Sequence, residues 1–427
     1  MSERMRAAKV FAAALSLAAS AGAQPAPSPV ERVTFEEAVR RAIERNPSVG
    51  QAEQAILRTE ALLDQARSVF RPTVNGAVGT TMLDAARGFD GNITQPRTQS
   101  SFGATGSYPL LAASRWAAAK QARDQVGIAR ISAQETRRQV ALLAAESYLF
   151  VISAEHQREI AGRNRDTARA LEEYARARLE AGQGSRLNHV RSSQELANAE
   201  GFIQAAELAV RQAQEALGIA MYADGPVDAG GDPRIEPATP PAAGDAQWLP
   251  ERPDVRLSEA QVAAADRVVR DTWKSWLPTA AVGFSPQYVT PKGFFEPAST
   301  WRAFVVLQVP IYDGTLGAAR RLRVADRETA QLRLDAVKQQ ARSEVRFAQE
   351  AVVRNEGIVA ATGEAAENAR EALRITEIAY KAGATTNIEV VQAQQTARNA
   401  EVLASLAEDR LRQARLDLLV ALGQFPR

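Results

Sequence analysis

The chain has 427 residues, 52 basic and 50 acidic side chains, two histidines and no cysteine. The missing cysteine excludes a disulfide framework, thiolate metal sites and a lipid-modified cysteine, and two histidines leave no multi-histidine metal centre. A mean hydropathy of -0.26 is too polar for a chain of many membrane-spanning helices, and the length implies two domains or one repeat architecture.

Residues 1–23 read as a secretory signal. Arg4, Arg6 and Lys9 give a basic start, Val10 to Ala19 an apolar run, and Ala21-Gly22-Ala23 an A-x-A cleavage site. The apolar run is shorter than the roughly 20 residues a spanning helix needs. Without the signal, basic and acidic side chains balance, so no excess positive charge is left to neutralise phosphates and no nucleic-acid partner is expected.

The rest of the chain is written twice. Asn46-Pro47-Ser48-Val49 matches Arg252-Pro253-Asp254-Val255, and Arg71-Pro72-Thr73 matches Leu277-Pro278-Thr279, both at an offset of 206. Tyr108-Pro109-Leu110 matches Val309-Pro310-Ile311, and Glu180-Ala181-Gly182 matches Lys381-Ala382-Gly383, both at an offset of 201. A fixed offset over such a span predicts two structural repeats, 24–221 and 251–427. The Pro/Gly-rich stretch 222–250 between them reads as irregular linker.

Each repeat follows one plan in chain order. A helix (48–70 and 254–276) ends before Pro72 or Pro278. Two strands follow, at about 73–86 and 98–109 in the first repeat and 279–290 and 300–311 in the second. Phe102, Ala104, Gly106 and Tyr108 alternate with small polar residues, as do Trp301, Ala303, Val305, Leu307 and Val309 with Arg302 and Gln308. Period two, a length near ten and aromatic ends fit transmembrane β-strands. Residues 87–97 and 291–299, rich in Gly, Asp, Asn and Pro, read as exposed loops. A helical hairpin closes each repeat, at about 112–218 with its tip at 181–186 and at about 316–422 with its tip at 382–387. No proline falls between Pro109 and Pro226 or between Pro310 and Pro426, and Ala, Arg, Gln, Glu and Leu dominate there. Val390, Ala393, Ala397, Ala400, Ala404, Ala407, Leu411, Ala414 and Leu418 step by threes and fours, a heptad seam for close antiparallel packing. The same seam in the first repeat runs from His189 through Ser192, Ala199 and Val210 to Leu217.

Four strands cannot close a membrane barrel, and open sheet edges are not tolerated in lipid. If the strands span a membrane, chains must associate, and three chains would supply twelve strands. A signal peptide combined with membrane strands means a Gram-negative outer membrane.

The two-fold repeat, the long hairpins and the tip sequences resemble the TolC-like outer membrane efflux proteins. The residues that carry the resemblance are Leu179-Glu180-Ala181-Gly182, Ala379-Tyr380-Lys381-Ala382-Gly383 and the helix start Asn387-Ile388-Glu389-Val390-Val391-Gln392-Ala393. The resemblance implies a mainly α fold with a β-barrel portion, namely long antiparallel coiled-coil hairpins plus four transmembrane strands per chain. It implies a homotrimer with a 12-stranded barrel in outer membrane lipid and a periplasmic helical tunnel. It also implies a passive exit duct for an inner-membrane pump and a periplasmic adaptor (membrane fusion) protein. By the same resemblance, the adaptor would touch the tips Ala181, Gly182, Gln183, Ala382, Gly383 and Ala384. Glu389 would form an acidic gate ring; Gln392 stands where the family places a second carboxylate. Asn188 beside Arg186 takes the matching place in the first repeat. Tyr380 matches a tip tyrosine at the closed mouth, and Thr385 stands where some relatives carry a latch arginine.

No phosphate-binding loop, H-E-x-x-H or G-x-S-x-G motif occurs, so neither an enzyme nor a cofactor is expected. Two other readings use the same features: a soluble periplasmic coiled-coil scaffold or adaptor, and the same duct serving metal-cation efflux or type I protein secretion.

Overall fold

The computed structural model describes residues 30–236, 247–294 and 297–426; the signal segment 1–23 and part of the stretch 222–250 lie outside these. The chain is mainly helical, with a four-stranded antiparallel sheet and two long helical hairpins. Its described residues divide into two compact units, one of 30–42, 144–234 and 363–406, the other of 43–143, 235–236, 247–294, 297–362 and 407–426.

In the first unit β1 (Glu31–Val33) pairs in parallel with β6 (Val227–Ala229). The helix α1 (Phe35–Arg45) follows β1 at once, its first turn capped by the Thr34 hydroxyl, which accepts from the Glu37 amide at 3.3 Å. Val33, Ala38, Tyr148, Val151, Val210, Leu217 and Val227 form the core of this unit. Phe35 meets Tyr148 edge-on at 5.5 Å, and the Tyr148 hydroxyl donates to the Gly231 carbonyl at 2.8 Å, so the buried phenol is satisfied. The stretch 222–250, read as irregular from its prolines, thus contains an ordered strand and a following turn that close this core.

The second unit holds α2 (Pro47–Ser68), with Pro47 in its first turn and Asn46 capping the Ser48 amide at 2.9 Å. Next come β2 (Thr73–Met82), β3 (Arg87–Phe89), β4 (Asn92–Gln95) and β5 (Thr98–Leu111). Residues 87–97, expected to be loop, instead build the β3–β4 hairpin around an Asp90-Gly91 turn. Strand β2 stops at Met82 rather than 86, where Leu83 turns to bond the Arg97 carbonyl. Strand β5 runs past Pro109 to Leu111 through a bulge, which accommodates the missing proline donor. The second repeat supplies α5 (Pro253–Asp271), which tightens into a 3-10 turn over Thr272–Trp276, then β7 (Thr279–Thr290) and β8 (Ser299–Gln308). Strand β8 ends at Gln308, short of the expected 311, because Pro310 cannot donate to a ladder.

The helices α3 (Ala113–Glu180) and α6 (Gly314–Lys381) have 68 residues each, about 100 Å at 1.5 Å per residue. Their return arms are α4 (Arg186–Met221) and α7 (Asn387–Ala421). The heptad seams face inward: Ser192, Ala199, Val210, Ala213 and Leu217 on α4, and Val390, Ala397, Ala407, Ala414 and Leu418 on α7, are buried. Within the second unit, Arg130–Glu60 and Arg137–Glu53 pairs, each 2.8 Å, tie α3 to α2. Arg252 is buried and donates to Asp254, to Glu344 at 2.8 Å and to the Ala421 carbonyl at 3.0 Å, joining the start of α5 to α6 and α7.

Candidate functional site

The two hairpin tips have one geometry. After α3, the Gly182 amide donates to the Leu179 carbonyl and Gln183 to Arg178; after α6, Gly383 donates to Tyr380 and Ala384 to Ala379. This paired 5→2 and 6→1 pattern is a Schellman cap, and it needs a left-handed residue. Gly182 and Gly383 supply it with φ of 72° and 77°. Open space surrounds both, so backbone conformation and not packing selects glycine. Ser185 then caps α4 by accepting from the Leu187 amide at 3.2 Å. Ala181, Gly182, Gln183, Ala382, Gly383 and Ala384 are all exposed, as a docking tip requires.

Beside the tips, Glu389 and Gln392 lie exposed one turn apart on α7, flanking Val390, which is fully buried. Arg186 is exposed and Asn188 half-buried on α4. Tyr380 is buried with Leu171 and Val390, edge-on to Tyr174 at 5.7 Å. A groove of about 340 Å³ runs past this pair, lined by Asp166, Leu171, Tyr174, Glu377 and Lys381. Thr385 is half-buried, its hydroxyl without a partner.

Polar contacts that sequence reading missed join the return arms near the tips. Asn387 donates to the Ser192 hydroxyl at 3.1 Å, both buried. The buried Glu195 accepts from Gln395 at 3.3 Å and Arg398 at 3.4 Å, and Arg398 stacks on Phe202 at 4.8 Å. Such partners lie about 200 residues apart and leave no local pattern. The seam position of Ser192, a polar residue ahead of Leu196 and Ala199, is the signal that could have found them.

The four-stranded sheet, in the order β2-β5-β7-β8, has two chemically distinct faces. The observed registers put Val74, Val78 and Met82 of β2 beside Phe102 and Tyr108 of β5, then Val282, Phe284 and Tyr288 of β7, then Trp301, Val305 and Leu307 of β8. Apart from the half-buried Val282, these side chains stand exposed, Val74 at 75% and Trp301 at 71%. The opposite face carries Thr73, Asn75, Thr105, Ser107, Ser285, Gln287, Thr300 and Arg302. Hydroxyl pairs cross it at Thr73–Ser107 (2.8 Å) and Thr105–Ser285 (3.2 Å). One mainly apolar face, broken toward the loop end by the Thr80–Ser100 hydroxyl pair (3.0 Å), backed by a mainly polar one that also holds Phe304 and Val306, fits the alternation of a membrane strand between lipid and water. Among the described residues no helix is long and apolar enough to cross a membrane, and no cluster of His, Asp or Glu could hold a metal ion.

Comparison with known structures agrees with this architecture. The outer membrane protein VceC of Vibrio cholerae superposes with a TM-score of 0.76 at 15% identity, covering 91% of this chain and 96% of its own. CusC gives a TM-score of 0.81 at 15% identity, covering 94% and 95%. The open-state outer membrane channel MtrE of Neisseria gonorrhoeae gives 0.77 at 20%, covering 91% and 88%. No curated protein sequence matches significantly. The family described as outer membrane efflux protein matches residues 38–221 and 246–424, one segment per repeat and most of the chain. The chain belongs to the outer membrane efflux protein family.

Proposed function

We propose that this outer membrane efflux protein is the exit duct of a tripartite system, a homotrimer whose four-stranded sheets join edge to edge into a 12-stranded barrel. The observation that carries this reading is the two-faced sheet with unpaired edges at β2 and β8. Its apolar face needs lipid, and its edges need partners, because unpaired backbone groups cost several kcal/mol each in hydrocarbon. Strands of 10 to 14 residues are long enough to span a bilayer when tilted. The hairpins would line a periplasmic tunnel, with the exposed tips at Gly182 and Gly383 received by a periplasmic adaptor and, through it, an inner-membrane pump. Glu389 would ring the tunnel mouth as an acidic gate, Gln392 leaving the next turn neutral, with Arg186 and Asn188 on the alternate return arm. The signal would be cut after Ala23. Cargo would be chosen by the pump, since a passive duct needs no substrate-binding centre.

Cell fractionation tests the reading. The mature chain is expected in detergent-resistant outer membranes; recovery in the soluble periplasmic fraction would contradict it and favour a coiled-coil scaffold.

A further inference from the structure

On the polar face of the sheet one side chain stands apart. No residue of β2, β5 or β7 is charged, and β8 carries only Arg302. Its cross-strand neighbour is the neutral Ser285, and no carboxylate pairs with it among the described residues. Its guanidinium lies over the ring of Phe304, 5.5 Å from the centroid and on the same face. That ring lies over Gly283, where any side chain would collide with it, so the glycine makes room for the aromatic platform. The cation is therefore held at the sheet wall by a cation–π contact and left without counter-charge.

We propose that Arg302 is an anion-attracting station in the barrel wall, favouring small anions and anionic groups on exported molecules. This rests on the barrel reading above. Three chains would set three guanidinium groups at one level of the barrel wall, where β2, β5, β7 and β8 carry no other charge. At the tunnel mouth Glu389 would favour cations, so the duct would carry two charge filters of opposite sign in series. The Debye length is about 8 Å at physiological salt and about 30 Å at 0.01 M, so the station acts on solutes passing near the wall and more widely at low salt.

The absence of cysteine allows a local test that the tunnel mouth cannot disturb. Thr300→Cys puts one thiol on the polar face, two residues from Arg302, and Val305→Cys puts one on the apolar face. Both are reacted, in outer membranes, with membrane-impermeant thiosulfonates of negative and positive charge. Thr300→Cys is expected to react far faster than Val305→Cys and to prefer the anionic reagent. Adding Arg302→Gln should lower the anionic-to-cationic rate ratio about fivefold at 0.01 M salt; Arg302→Lys should preserve it, and 1 M salt should erase the difference. A ratio unmoved by Arg302→Gln would overturn the anion station while leaving the barrel intact. Equal reactivity of the two thiols would overturn the barrel reading and the station with it.

Discussion

A glycine at each hairpin apex holds a backbone conformation that other residues adopt only with strain. At Gly383, with φ of 77° and nothing near its missing side chain, substitution by alanine costs only that strain, about 1 kcal/mol. Gly383→Ala should therefore speed hydrogen exchange of the Ala384 amide about fivefold without unfolding the hairpin, a ratio read by mass spectrometry. Arg252 is the opposite case, a buried cation serving two carboxylates and a helix-end carbonyl. Arg252→Ala should destabilise the second unit by about 2–3 kcal/mol in thermal melts followed by circular dichroism, toward the low end because both carboxylates keep some solvent. Burial alone would push the Asp254 carboxyl up, but the hydrogen bond and charge of Arg252 overcome this and hold it below its usual range. A depressed acid contributes stability above the unfolded value, about 3.9, and loses it as pH falls through the folded value. The melting temperature of the wild-type chain should thus drop below pH 4, and Arg252→Ala should flatten that part of the profile.

Among the elements, the sheet makes the sharpest demand. Val305 and Val306 are adjacent in β8 but point to opposite faces. Arginine on the lipid face near the bilayer midplane costs about 2–4 kcal/mol, whereas the lumen face accepts charge. Val305→Arg should strongly reduce the amount of assembled protein in outer membranes, and Val306→Arg should leave it near wild type; equal loss from both would contradict the assignment of faces. This alternation was legible in the sequence because Phe102, Ala104, Gly106 and Tyr108 interleave with small polar or glycine residues, and because Trp301, Ala303, Val305 and Leu307 hold every second position of the last strand. The long helices were legible because proline is absent from two stretches of more than a hundred residues. The helix α1 went unread, although Phe35, Ala38, Val39 and Ala42 carry its three-four spacing. The strands β1 and β6 have three residues each and find each other across nearly 200 positions, where no periodicity can speak. At the tips the glycine caps could be read locally. The burial of Tyr380 against Tyr174 could not, since it depends on two hairpins meeting.

At the scale of the whole molecule, two copies of one supersecondary plan give each chain half of what a channel needs: membrane strands with free edges and helices longer than any globular core requires. On the proposed reading, assembly of three chains supplies the rest. If three Glu389 side chains ring the mouth, Glu389→Gln should lower the cation-to-anion permeability ratio of purified channels in planar bilayers, with single-channel conductance at high salt little changed. Assembly is the claim on which the barrel, the gate and the anion station depend, and it is tested most directly by gel electrophoresis of outer membranes solubilised with and without boiling. Unheated samples should run as a trimer that boiling converts to a single monomer band; a monomer in both lanes, from protein extracted without denaturation, would contradict the account.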